Sequence, residues 1–170
     1  MRKAAFIIVC AVLALSPLAA AAGQAPGALR ARDVLPAEGL VASSVAPIRD
    51  QAALNAHYYL ADEAVLGLGA RTDAVFARYR TGAGEALLLV AAYRSAEEAG
   101  RVYERFGRDF FSADFDPGPP RFVEMIETGD WAGAAKCGPV LIAVLEAPDR
   151  AACEGLLRRA EEKAPAAKAH

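Results

Sequence analysis

Gly84-Glu85-Ala86-Leu87-Leu88-Leu89-Val90-Ala91-Ala92 runs, after a short break, into a helix signal that begins at Ser95. The same plan recurs from Gly138, where Val140-Leu141-Ile142-Ala143-Val144-Leu145 leads to a helix signal at Asp149. Each apolar run has the length of a strand. Each following segment carries apolar residues at spacings of three and four, one face of a helix. In the first, Ala99, Val102, Tyr103, Phe106 and Phe110 share that face. In the second, Ala152, Cys153, Leu156, Leu157 and Ala160 do. The apolar runs read as neighbouring or paired central strands, with both helices over one face of the sheet.

The helix starts have a chemical basis. Ser95-Ala96-Glu97-Glu98 is a capping box, in which the serine oxygen accepts an early amide and Glu98 reaches back. Asp149 after Pro148 is a second N-cap. The weaker strands follow from alternation and turns. Thr72–Arg80 alternates Val75, Ala77 and Tyr79 against Phe76, Arg78 and Arg80, and Thr81-Gly82-Ala83-Gly84 closes a hairpin. Phe122–Glu127 and Trp131–Lys136 are separated by Thr128-Gly129-Asp130, and Cys137-Gly138-Pro139 turns into the last strand. Leu40–Val45 is a candidate short strand, kept off the centre of a sheet by Pro36 and Pro47. Asp50–Leu66 reads as one helix, with Leu54, Tyr58, Ala61, Val65 and Leu68 as its stripe and Gly67 and Gly69 as its end. The fold class is α+β: a two-layer sandwich of a mainly antiparallel sheet, four to five strands, with two to three helices packed on one face.

The chain of 170 residues holds one such domain, expected over residues 34–162. Before it, residues 1–22 have the layout of a secretory signal peptide: Arg2 and Lys3, an apolar run from Ala5 to Leu15, Pro17, and small residues at Ala20–Ala22. The run is too short to span a bilayer, so no stable membrane span is expected after cleavage. Residues 23–33 read as a flexible leader and 163–170 as a disordered tail. The expected location is periplasmic or secreted.

Composition narrows the function classes. The net charge of −2 becomes −4 when Arg2 and Lys3 leave with the signal. No basic stripe is available for a phosphate backbone, so nucleic acid is not an expected partner. Neither His57 nor His170 has a ligand partner at metal spacing, and there is no Cys-x-x-Cys pair. No metal or cofactor is expected, and no catalytic residues are assigned. Cys137 and Cys153 are separated by a strand and a partial helical return, which leaves them too far apart for a disulfide.

Two places remain for a ligand. His57, Tyr59, Asp62 and Glu63 crowd an imidazole, a phenol and two carboxylates beside Tyr58. Trp131 stands next to Asp130 at a turn. The leading expectation is an exported, non-enzymatic module that binds a small molecule or an envelope protein there. The alternative is an enzyme or redox-active protein using the His57 cluster or Cys137, the two brought together in space. A third is an envelope factor that dimerises through sheet edges.

Three segments carry a resemblance: Leu35-Pro36 with Gly39; Tyr59-Leu60-Ala61-Asp62-Glu63-Ala64 followed by Gly69 and Tyr79-Arg80; and Trp131-Ala132-Gly133 before an apolar strand and a Leu-Leu helix. Together they resemble an uncharacterised family of secreted bacterial proteins, a domain of unknown function. That family carries Tyr-Ile-Asn-Gly-Gly-Ala-Glu at the second segment, and here Ala61 and Asp62 replace the glycines. The resemblance implies export and no particular activity.

Overall fold

The structure is a computed structural model and describes residues 30–60, 64–112 and 114–164. The signal segment, Cys10, Asp62, Glu63 and residues 165–170 lie outside the described residues. Six strands form one antiparallel sheet: β1 (Ala46–Ile48), β2 (Asp73–Arg80), β3 (Glu85–Ala92), β4 (Arg121–Met125), β5 (Trp131–Cys137) and β6 (Val140–Ala147). Their order across the sheet is β1-β2-β3-β6-β5-β4. Three α-helices accompany them: α1 (Gln51–Asn55), α2 (Ala96–Phe106) and α3 (Arg150–Glu161). The α+β class holds, with six strands rather than four or five.

The two apolar runs are the paired centre of this sheet. Val90 faces Ile142, and Leu88 faces Val144. Nearly every residue of β3 and β6 is buried, because both faces of the sheet are covered. One face packs Cys153, Leu156, Leu157 and Ala160 of α3 on Val90, Ile142 and Val144. The other packs Ala99, Val102, Tyr103 and Phe106 of α2 on Leu89, Leu141 and Ala143. The helices therefore lie on opposite faces, in three layers, and the expectation of two layers with all helices on one face is corrected.

A single bulge accounts for the difference. Leu87 pairs with Glu146 but Leu88 with Val144, so Leu145 is an extra residue in β6. The β5 ladder slips at the same place, where Trp131 faces Ala147 and Gly133 faces Val144. Side chains alternate along a strand, and one inserted residue reverses the parity beyond it. Tyr93, two residues before the Ser95 cap, packs on the α2 face. Ala147, two residues before the Asp149 cap, packs on the α3 face. The repeated unit thus delivers its second helix to the other side.

Both caps form as the sequence requires: Ser95 accepts from the Glu98 amide, and Asp149 from the Ala152 amide. Glu98 Oε2 reaches past the cap to the Arg94 amide at 3.3 Å. Cys137 and Val140 close a two-residue hairpin, with Gly138 at φ +55 in the position a II′ turn reserves for glycine. The short strand is displaced from Leu40–Val45 to Ala46–Ile48, where Pro47 is tolerated because β1 is an edge. Leu40 contributes only a single bridge to Tyr79.

The helix expected over Asp50–Leu66 stops at Asn55. Asn55, the last residue of α1, carries a competing acceptor, and its Oδ1 takes the Leu60 amide at 3.3 Å. His57 and Tyr58 both donate their amides to Leu54 O, which tightens the last turn. The apolar stripe still reaches a common core, with Leu54, Val65, Leu66 and Leu68 buried on the α2 face. Tyr93 Oη donates to Leu66 O at 2.7 Å, and Arg105 Nε to Val65 O at 2.6 Å. The leader also ends earlier than residue 33. Ala31–Val34 is a 3-10 turn with Ala31 and Val34 fully buried against the α3 face. Lys163 Nζ, in the expected tail, donates to Leu35 O at 2.8 Å.

Candidate functional site

The expected ligand residues do not converge. His57 stacks on the buried ring of Phe76, centroids 5.3 Å apart and 17° between planes, on the α2 face. Trp131 lies on the α3 face, with the Arg150 guanidinium 5.6 Å from its ring centroid. Tyr59 is 64 % exposed. Asp62 and Glu63 are outside the described residues. Cys137 packs on the α3 face, across the sheet from His57, so the two are not a catalytic pair. Burial, with Glu161 adding to it, pushes the Cys137 thiol up to about 11, away from nucleophilic use. Cys137 and Cys153 are both free thiols. Among the described residues, no group of three His, Cys, Asp or Glu is placed to hold a metal ion, and no helix is long and apolar enough to cross a membrane.

What the fold does assemble is a cleft at the end of the α2 face, about 300 Å³, between Tyr58, Phe110, Phe111, Glu124, Ile126 and Glu127. Its floor is built by a π-helical turn, Gly107–Phe111, that continues α2. The Ser112 amide bonds Gly107 O, five residues back. In a widened turn residues four and five apart both face one neighbour. Phe110 stacks on Phe106 at 5.1 Å and 11°, and Phe111 meets the same ring edge-on at 5.6 Å. Phe111 then contacts Phe122 of β4 at 4.5 Å, and Phe122 contacts Phe115 at 4.6 Å. Gly107 is required at this place, because a Cβ there would enter the ring of Phe115.

Tyr58 supplies the opposite wall. Its hydroxyl donates to Leu145 O, the bulge residue, at 3.4 Å. The bulge also turns Glu146 toward this face, since it pairs with Leu87, which packs there. Burial raises the Tyr58 phenol pKa, and Glu146 and Asp130 raise it further. Burial likewise raises the Glu146 carboxyl, with Asp130 and Glu85 adding to it. Acidic groups thus surround the wall, while Glu124 and Glu127 stand exposed at the lip. Arg78 pairs with Glu85 at 3.2 Å, Arg108 with Glu104 at 2.7 Å and Arg121 with Glu161 at 3.0 Å, and none of these three partners is a carboxylate of the cleft lip. Aromatic faces beside carboxylates suit a ligand group that is apolar and positively charged.

Two wider hollows have no aromatic wall. One, about 590 Å³, lies between Pro47–Asp50 and the segment around Gly69 and Asp73. The other, about 390 Å³, lies between Arg80, Asp149 and Arg159. Of the cleft residues, Tyr58 was legible both in a helix stripe and in the cluster around His57. The Phe110-Phe111 doublet at the end of an amphipathic helix was the signal available for the rest. No family model matches the chain, and no curated protein or solved structure is significantly similar to it.

Proposed function

We propose that the protein is an exported, non-enzymatic binding module of the cell envelope, whose cleft at Tyr58, Phe110 and Phe111 takes an apolar group carrying positive charge. Membership of the secreted family that the sequence resembles is part of this proposal. The observation that carries it is the joining of three aromatic walls to the exposed carboxylates of Glu124 and Glu127 in one hollow. Cations over aromatic faces gain about 0.5–2 kcal/mol, and carboxylates beside them add attraction. The chain commits a rare π-helical turn and an aromatic run to shaping this surface. The depressed thiolate character of both cysteines and the separation of His57 from Cys137 favour binding over covalent chemistry.

Benzyltrimethylammonium is a suitable probe, followed by amide chemical shifts. It is expected to move Phe110, Phe111 and Ile126, with benzoate inert. Phe111→Ala and Glu124→Gln are each expected to weaken the response. Equal responses to benzoate, or shifts confined to other surfaces, would overturn the assignment.

A further inference from the structure

The cleft opens beside a strand edge that has no partner among the described residues. β4 is the last strand of the sheet and pairs only with β5. Which of its backbone groups are free follows from the ladder. Lys136 N donates to Pro120 O at 2.8 Å, and Ile126 N donates to Asp130 O at 2.8 Å. In an antiparallel pair, bonded positions recur every second residue. Phe122 and Glu124 therefore bond β5, and the N–H and C=O groups of Arg121, Val123 and Met125 point outward.

The two edges of the sheet are treated differently. β1 is three residues long and has Pro47 at its middle, a blunted edge. β4 has five residues and neither proline nor lysine within it. Its side chains divide by face. Arg121 and Val123 lie on the α3 face, where Arg121 pairs with Glu161 and Val123 packs on the core. Phe122, Glu124 and Ile126 lie on the cleft face. Met125, which alternation places with Arg121 and Val123, also borders the cleft and is 63 % exposed. Among the described residues, Glu124 and Glu127 pair with no cation.

We propose that the β4 edge captures an extended cationic peptide segment as a seventh strand, an inference that rests on the cleft being a ligand site. A strand added ~4.8 Å outside β4 bonds the free groups of Arg121, Val123 and Met125. Its alternate side chains fall over the cleft. Arginine there lays its stem and guanidinium against Phe110 and Phe111 and its charge beside Glu124 and Glu127. The intervening side chains are apolar and cover Val123 and Met125. Charge decides against a second copy as occupant, because edge-to-edge pairing would bring two acidic lips together.

The test uses the full chain and a fluorescein-labelled Val-Arg-Val-Arg-Val-Arg-Val peptide. Binding is read by anisotropy, and protection by amide hydrogen exchange. The expected result is saturable binding with new protection at Arg121, Val123 and Met125. Methylating alternate peptide nitrogens is expected to abolish it. Combined Glu124→Lys and Glu127→Lys should weaken it roughly tenfold, as loss of two favourable charge contacts implies. Equal binding of the methylated peptide would overturn strand addition. Protection of the same amides by self-association without peptide would overturn it in favour of a second copy. If benzyltrimethylammonium fills the cleft while the peptide leaves these amides unprotected, the strand inference falls and the ligand site stands. If neither binds, both fall.

Discussion

Gly133→Ala tests how closely β4 is held to the rest of the sheet. Gly133 lies opposite Val123 in β4 and Val144 in β6. A Cβ at this position would sit 2.6 Å from Phe122 O, 2.9 Å from Val123 Cγ2 and 3.1 Å from Leu157 Cδ1. The nearest of these is backbone, so no side-chain rotation relieves it. Residues 123 and 133 also form a position of the ladder without hydrogen bonds, where side chains approach most closely. β4 must move outward by several tenths of an ångström, and the Leu157 side chain must give as well. Overpacking of this kind costs about 1–3 kcal/mol. For a domain of this size that lowers the melting temperature by roughly 4–12 °C. Calorimetry measures it, and amide exchange along β4 locates it. The matched control is Gly100→Ala, where the added Cβ meets only the Lys136 side chain, at 3.8 Å. That helix-interior change is expected to stabilise by about 0.5–1 kcal/mol. If Gly133→Ala melted like the parent with unchanged exchange in β4, the close stacking of β4, β5 and α3 would be refuted.

The cysteines give a second set of outcomes. Burial, with Glu154 adding to it, pushes the Cys153 thiol up to about 12, above Cys137 at about 11. Ellman's reagent at pH 7.5 is expected to modify Cys137, which is half-buried, only slowly and Cys153 not at all in the folded protein, and both rapidly in guanidinium; rapid native labelling of Cys137 would contradict its raised pKa. Both folded pKa values lie above the unfolded value of about 8.5. The stability they contribute is therefore fully present below about pH 8.5 and is lost as pH climbs toward 11–12. Tyr79, Tyr93 and Tyr103, raised mainly by burial, act in the same direction above about pH 10. The urea midpoint should fall between pH 8 and pH 10.5, and a flat profile would contradict it.

The central sheet was legible because its signals are local. Alternation in Asp73–Arg80, the glycine-rich hairpin before Glu85, and the Gly138-Pro139 turn each fix an element from a few neighbouring residues. The strand-to-helix caps at Ser95 and Asp149 were legible for the same reason. The face taken by α3 was not, because it depends on one extra residue at Leu145, and a bulge shows only when two ladders are compared. The segment after Asn55 was misread for a related reason. Its apolar spacing fits a helix, but those residues reach the α2-face core by an irregular path fixed by Asn55, Tyr93 and Arg105.

The candidate site was legible in one residue and its neighbours rather than as a set. Of the cluster around His57, Tyr58 is the residue that lines the cleft, while His57 stacks on Phe76. Trp131 reads as a surface anchor by residue type, yet it serves as a platform for Arg150 on the other face. Phe111, Phe122 and Glu127 converge only through tertiary structure, since they come from a π-helical turn, an edge strand and a hairpin.

The central claim is that β4 presents a free edge beside an acidic, aromatic cleft. Residue-resolved hydrogen exchange on the unliganded protein tests it most directly. The amides of Phe122, Glu124 and Ile126 should exchange slowly, and those of Arg121, Val123 and Met125 fast, in strict alternation. Uniform protection along Arg121–Met125 would mean that the outer edge is already paired, and the account would be wrong.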